Sequence, residues 1–397
     1  MKISDKFGAV APSSTLAITA KVNEMKANGI NVVGFGAGEP DFNTPEHIRE
    51  AAIKAINDGF TRYTPASGTK ELKASVAAKF ARDNNLSYGI ENIVISNGAK
   101  HSLMNALGVI LNPGDEVIIP TPCWVSYPEM VKLNDGVPVL LKSSEEEGFT
   151  VSAEKIASAI TDKTRAVIIN TPSNPTGMLY SEDELRKIAK LCVEKNIYVI
   201  SDEIYEHLIY DGKKHVSIAS FGDDIKDLTI IINGVSKTYA MTGWRIGYTA
   251  SNAALAKAMA NVQSHATSNP NSIAQKAAVA ALDGSMETVI AMKKEFEKRR
   301  TYMAERMNSL PYVSCLKPEG AFYIMMNIKE LIGKKVNGKE ITGSNSFAEI
   351  FLDEALVSVV PCSDFDSDIH VRWSYATSME NIVEGLDRLE AFLKNVQ

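Results

Sequence analysis

Short runs of consecutive apolar, mostly β-branched residues alternate in the middle of the chain with longer stretches whose apolar positions recur at helical spacing. The runs Asn92–Ser96, Glu116–Pro120, Arg165–Asn170, Ile197–Ser201, Thr229–Asn233 and Arg245–Thr249 predict strands. Several are apolar at consecutive positions, as expected of strands covered on both faces. Between them, Ser181 followed by Glu184 has the form of a capping box, and Leu185, Ile188, Ala189 and Cys192 keep one helical face as far as Lys195. Thr44-Pro45 predicts an N-cap with proline at the first helical position, and Asn112–Asp115 predicts a turn between helix and strand.

This order predicts an α/β fold, with a mostly parallel sheet between two layers of helices. Residues 45–284 form the expected large domain. A charged helical pattern from Ser285 to Leu310 leads into residues 285–397, the expected linking helix and small α+β domain. That part holds strand-like runs at Ala321–Ile328 and His370–Ala376 and a closing helix from Ser378. Residues 1–44 are expected to pack with it.

Composition narrows the function. With 48 acidic and 42 basic residues among 397, the net charge is −6, which gives no basic nucleic-acid footprint. No apolar run approaches the roughly 18 residues of a membrane span, and M-K-I-S-D-K-F-G-A-V lacks the apolar core of an export signal. A cytoplasmic location is therefore expected. Cys123, Cys192, Cys315 and Cys362 form no C-x-x-C pair, and the six histidines form no H-E-x-x-H, so spacing supplies no metal site.

In open parallel sheets, sites form beyond the carboxyl ends of the strands. The first run is followed by Asn97-Gly98-Ala99-Lys100 at a helix start, where free N–H groups suit an anion. Thr171–Gly177 follows the third run and carries Asn174 between two prolines; Asp202-Glu203-Ile204-Tyr205 follows the fourth. Four apolar residues before Asp-Glu also resemble a Walker B segment. The nearest Walker A match, Gly333–Glu340, has Glu340 where magnesium binding needs Ser or Thr, which argues against an ATPase. After the fifth run comes Gly234–Arg245, with Ser236, Lys237 and Arg245. A strand-end lysine among small and aromatic residues is a candidate Schiff-base nucleophile, and Ser236 and Arg245 could bind a phosphate beside it.

Taken in order, Ala37–Phe42, Tyr63–Gly68, Asn174–Gly177, Asp202–Tyr205, Ser236-Lys237 with Met241–Tyr248, and Arg372–Tyr375 resemble the fold-type I pyridoxal-phosphate enzymes. The resemblance is to class I/II aminotransferases, close to bacterial aspartate aminotransferases of the Iβ subgroup. It implies a large domain with a mostly parallel seven-stranded sheet, a smaller α+β domain, and pyridoxal 5′-phosphate as cofactor. It further implies that Lys237 carries the cofactor covalently and then acts as general base. Asp202 would keep the pyridine nitrogen protonated, and Tyr205 and Asn174 would bond the ring 3′-oxygen. Gly98, Ala99, Lys100, Ser236 and Arg245 would surround the phosphate, and Trp124 would stack on the ring. Tyr63 would reach the phosphate of a neighbouring subunit, which implies a homodimer with shared sites.

For substrate, the resemblance implies that Arg372 grips the α-carboxylate with help from the backbone at Gly38. Ser14, Thr15 and Lys100 would bind a second carboxylate. Relatives often read Pro-Gly-Ser-x-Phe-Gly where this chain has Pro361-Cys362-Ser363-Asp364-Phe365-Asp366, so altered backbone geometry and loop mobility are expected there. The expected reaction is ping-pong transfer of an amino group from an L-amino acid, aspartate, to a 2-oxo acid, 2-oxoglutarate. Two rivals share the scaffold: a lyase or synthase, and a cofactor-binding regulator.

Overall fold

A computed structural model describes residues 4–8 and 14–397; for residues 5, 6 and 14–19 it describes the helical backbone and not the side chains. Its largest element is a seven-stranded sheet. The strands are β1 (Ile93–Ser96), β2 (Glu116–Thr121), β3 (Val137–Lys142), β4 (Thr164–Asn170), β5 (Tyr198–Asp202), β6 (Thr229–Gly234) and β7 (Gly247–Ala250). Their spatial order is β1-β7-β6-β5-β4-β2-β3. β7 is antiparallel to both neighbours, and the pairs from β6 through to β3 are parallel.

Successive side chains of a strand point to opposite faces. Along β4, Ala166 and Ile168 join one core with helices Ala99–Ile110 and Ala253–Ala266, while Val167 and Ile169 join another with helix Glu182–Lys195. All six residues of β6 are buried. Each fully buried Val or Ile contributes about 1.5–3 kcal/mol, so two-sided burial stabilises these strands without alternation in their sequence.

A smaller antiparallel sheet has the order Val360–Pro361, His370–Ser374, Tyr323–Asn327, Ser314–Cys315. Helices Glu287–Asn308, Ser344–Ala355 and Met379–Leu393 contribute to its core. Val33–Gly34 pairs in parallel with Val357–Ser358, and Phe35 joins the same core.

Some local expectations change. Ser181 Oγ accepts from Glu184 N at 3.2 Å, but the Glu184 carboxylate accepts from Ala153 N at 2.6 Å, so the cap is one-sided. The helix predicted at Thr44 begins at Glu46 with Pro45 as cap. Thr44 instead donates to the Ala240 carbonyl at 2.7 Å and accepts from Trp244 Nε1 at 3.0 Å. Gly333–Glu340 contains a hairpin, Lys335–Val336 against Lys339–Glu340. Asp366 takes a left-handed backbone (φ 68°), which aspartate adopts more readily than most residues. Its carboxylate accepts from Thr121 Oγ1 at 2.9 Å and pairs with Lys142 at 3.1 Å, tying that loop to the ends of β2 and β3. Among the described residues, no helix is long and apolar enough to cross a membrane.

Candidate active site

Because β7 runs antiparallel between β6 and β1, its N-terminal end lies at the same sheet edge as the carboxyl ends of β1 and β6. Arg245, just before β7, therefore meets Gly98, just after β1, and Lys237, just after β6. The segments beyond β2, β4 and β5 converge on the same edge around a cavity of about 350 Å³.

Lys237 projects into this cavity and donates to the Gly38 carbonyl at 2.6 Å. Burial lowers its amine to about 8; Glu39 opposes that shift, and Arg245 and Arg372 add to it. Asp202 ends β5 and is 3% exposed. Its carboxylate accepts from the Tyr127 hydroxyl at 2.7 Å and from Ile204 N at 3.3 Å. Burial pushes it up to about 6 despite those bonds. Tyr205, one turn further, is buried with its hydroxyl 3.1 Å from that of Tyr323.

The side chain of Asn170, at the end of β4, accepts from Asn174 N at 2.9 Å and donates to the Asp202 carbonyl at 3.0 Å. Asn174 is thereby held with Oδ1 toward Arg372, whose Nη1 donates to it at 2.9 Å. Arg372 is 2% exposed, its Nη2 donates to the Gly36 carbonyl at 3.2 Å, and its Nε is buried without a hydrogen-bond partner. A buried guanidinium with neutral partners favours an arriving carboxylate.

At the other end, Gly98 caps the helix Ala99–Ile110 with φ 86°, and a β-carbon there would strike the Arg245 guanidinium. Ala99, Lys100, Ser236 and Arg245 line this end of the cavity. It combines a helix N-terminus, the Ser236 hydroxyl and the Arg245 guanidinium, a donor set suited to a phosphate. Trp124 lines the wall with the Lys100 ammonium 4.7 Å from its ring, and burial, with Arg245, lowers that amine.

Lys237, Asp202, Tyr205, Asn174, Arg372, Gly38 and Trp124 thus meet in one cavity with Ala99, Lys100, Ser236 and Arg245. Gly98 lies directly behind its wall. Tyr63 does not line it and is 91% exposed. The side chains of Ser14 and Thr15 lie outside the described residues. Sequence reasoning missed Tyr127, Asn170, Tyr323 and Thr242, which also line the cavity. The Y-P pair after Trp124 and the Asn at the end of β4 were visible, but nothing local marks them as partners of Asp202.

Behind the site, Glu203, Glu206 and His215 bring possible ligand atoms within 4.8 Å of one another. Each is already engaged: Glu203 by Ser201, Ser217 and His215, and Glu206 by buried Lys79 and Asn233.

The sequence profile described as aminotransferase class I and II matches residues 30–389. The chain is 50% identical over 394 residues to aspartate aminotransferase of Bacillus subtilis (strain 168), covering 99% of each chain. The crystal structure of the aspartate aminotransferase from Rhizobium meliloti superposes with a TM-score of 0.97 at 41% identity, covering 100% of both chains. Aspartate aminotransferase from Thermus thermophilus with maleate gives 0.93 at 41% identity, over 99% of this chain and 100% of that one.

Proposed function

The chain belongs to the class I and II aminotransferases, pyridoxal-phosphate enzymes, and from there we propose that it transfers the amino group of L-aspartate to 2-oxoglutarate in two half-reactions. The observation that carries the reading is the cavity itself, which sets a lysine amine lowered to about 8 beside a buried carboxylate and a buried guanidinium with neutral partners. Full-length likeness to aminotransferases does not favour a lyase, a synthase or a regulator.

The residues fit the cofactor. Asp202 is buried against a hydroxyl and an N–H, and a cationic ring nitrogen would offset the burial that raises it. The Gly98 turn leaves the Arg245 guanidinium the space that a β-carbon would fill. Pyridoxal phosphate, when bound, supplies an aldehyde for the lysine and a protonated ring that takes up electrons from the substrate Cα.

The chain's residues do the rest. Arg372 binds the α-carboxylate through two parallel N–H donors and so orients the Cα–H bond. Lys237 Nζ removes the proton from Cα; a lowered pKa leaves more of it unprotonated near neutral pH. With the cofactor bound, Asp202 would hold the ring-nitrogen proton, Tyr205 and Asn174 would donate toward the ring 3′-oxygen, and Trp124 would cover one ring face and keep water from it. Lys100, 4.7 Å from the Trp124 ring, is the cation we assign to the second carboxylate of the donor.

We also read the enzyme as a cytoplasmic homodimer. For the dimer, the support is that Tyr63 stands outside this chain's own cavity and 91% exposed, open to a neighbouring subunit; for the compartment, it is four cysteines that are buried and free. Residues 45–284 are our large domain and 285–397 the linking helix and small domain, with Val22 and Val32–Phe35 packed on the small domain and Gly38–Thr44 crossing to the large one. The pairing of Val33–Gly34 with Val357–Ser358 supports that division.

A donor panel with 2-oxoglutarate, followed by product chromatography, tests the function. Aspartate should lead. Lys100→Ala should lower kcat/KM for aspartate by about tenfold or more, the scale of one charge-assisted hydrogen bond, and change alanine little. Equal losses for both donors would remove the basis for acidic specificity.

A further inference from the structure

We propose that Tyr323 is a positioning residue of this site, holding the Tyr205 hydroxyl through its own and the Arg372 guanidinium through its ring face. The proposal rests on the reading above in which Tyr205 donates to the 3′-oxygen of bound pyridoxal phosphate.

The sheet register delivers both contacts. Tyr323 lies opposite Ser374 and Met325 opposite Arg372, so Tyr323 and Arg372 are diagonal neighbours on one face, within reach for an aromatic ring and a long side chain. The guanidinium carbon sits 4.4 Å from the Tyr323 ring centroid. The ring stands edge-on to that of Tyr205, with centroids 5.9 Å apart at 83°, and the two hydroxyls are 3.1 Å apart. Tyr323 is fully buried apart from this cavity, and a β-carbon on Gly38 would come 3.5 Å from its hydroxyl oxygen. It therefore stands where the phosphate-distal wall, Tyr205 and Arg372 meet.

A phenol has one proton to give. In the pair as it stands, either hydroxyl can be the donor. Once Tyr205 spends its proton on the ring oxygen, its lone pair is left to accept and Tyr323 becomes the donor. An accepted hydrogen bond polarises the Tyr205 O–H and strengthens its onward donation. With the cofactor bound, that donation would compete at the ring oxygen with a proton shared with the Lys237 nitrogen, and Tyr323 would thereby favour loss of that proton. Its ring face, negative at the centre, meanwhile fixes the guanidinium plane for a bidentate carboxylate.

The test compares holoenzyme Tyr323→Phe and Tyr323→Leu with the parent, reading the pH titration of the visible absorbance of bound cofactor alongside KM for alanine and aspartate. Phe removes the hydroxyl and keeps the ring. It should move the absorbance midpoint to higher pH and leave both KM values within about twofold, since the cation–π contact remains. Leu should show the same midpoint shift and also raise KM for both donors about tenfold, the loss of that contact at a desolvated site. A Phe midpoint equal to the parent's overturns the link to Tyr205. A KM in the Leu variant equal to that of Phe overturns the link to Arg372. Absence of a titrating visible band in the parent counts against the functional reading itself, and so is distinct from either.

Discussion

Arg372 Nη1 donates to Asn174 Oδ1 at 2.9 Å, joining an inner strand of the small sheet to the loop beyond β4 of the large one. A substrate carboxylate on this guanidinium would therefore meet groups from both sheets. Arg372→Lys keeps the charge and loses the planar pair of donors. KM should rise for every amino donor by about tenfold to a hundredfold, the worth of about 1.5–3 kcal/mol for a hydrogen bond to a charged group. Steady-state kinetics across mono- and dicarboxylic donors checks this. A rise confined to dicarboxylic donors would assign Arg372 to the wrong carboxylate.

Capture of pyridoxal phosphate by cofactor-free protein should speed up as pH rises and level off above about 8, where Lys237 has lost its proton. An ordinary lysine would keep gaining up to about 10.4. Stopped-flow absorbance between pH 6 and 10 gives the profile. Lys237→Ala should yield no borohydride-stable product; a labelled variant would remove Lys237 from its role.

Asp202 predicts a stability change. Its folded-state value, about 6, lies above the ordinary 3.8, so the folded protein holds this proton more tightly than the unfolded chain. The contribution is fully present below the ordinary value and is lost as pH climbs through about 6. The gap corresponds to roughly 3 kcal/mol as an upper scale. Cofactor-free Asp202→Asn should therefore gain stability on the parent at pH 7.5 relative to pH 4.5, in urea unfolding at both. With cofactor added, the parent should recover and the variant should transaminate far more slowly. A stability difference independent of pH would show that ionised Asp202 carries no burial cost.

Lys79 is 1% exposed and contacts the Glu206 carboxylate, with Asn84 Oδ1 2.7 Å away. Burial alone would raise Glu206, but Lys79, with His207 and His215, holds it well below the usual carboxylate range. Glu206 also accepts from Asn233 at 2.7 Å, three residues before Ser236. Lys79→Met leaves a buried charge without its partner and should cost about 3–5 kcal/mol, and Lys79→Met with Glu206→Leu should recover most of it. Denaturant titration of the holoenzyme forms measures both. A double variant as unstable as the single would show that the loss is one of packing.

Much of the architecture was legible because consecutive burial leaves a local trace. In β2, β4 and β6, apolar residues follow one another because helices cover both faces. β3 was missed: it is a half-exposed edge strand whose apolar run, Val137–Leu141, is interrupted by Pro138, a residue that argues against a central strand. The strand predicted from Arg245 begins only at Gly247, because Arg245 takes a left-handed backbone (φ 57°) to turn its guanidinium toward Gly98.

The side chains that could do chemistry were marked in the chain by type and order: a lysine after β6, an acid at the end of β5, an asparagine between prolines, an arginine in the last strand. Their mutual placement was not. Tyr127 reaches Asp202 across 75 residues, Tyr323 reaches Tyr205 across 118, and Arg372 reaches Asn174 across 198. Local sequence sets what a strand or a helix start can offer, because propensity and burial act over a few residues. Which offers face one another depends on strand order and on the antiparallel insertion of β7, and only packing of the whole chain decides those.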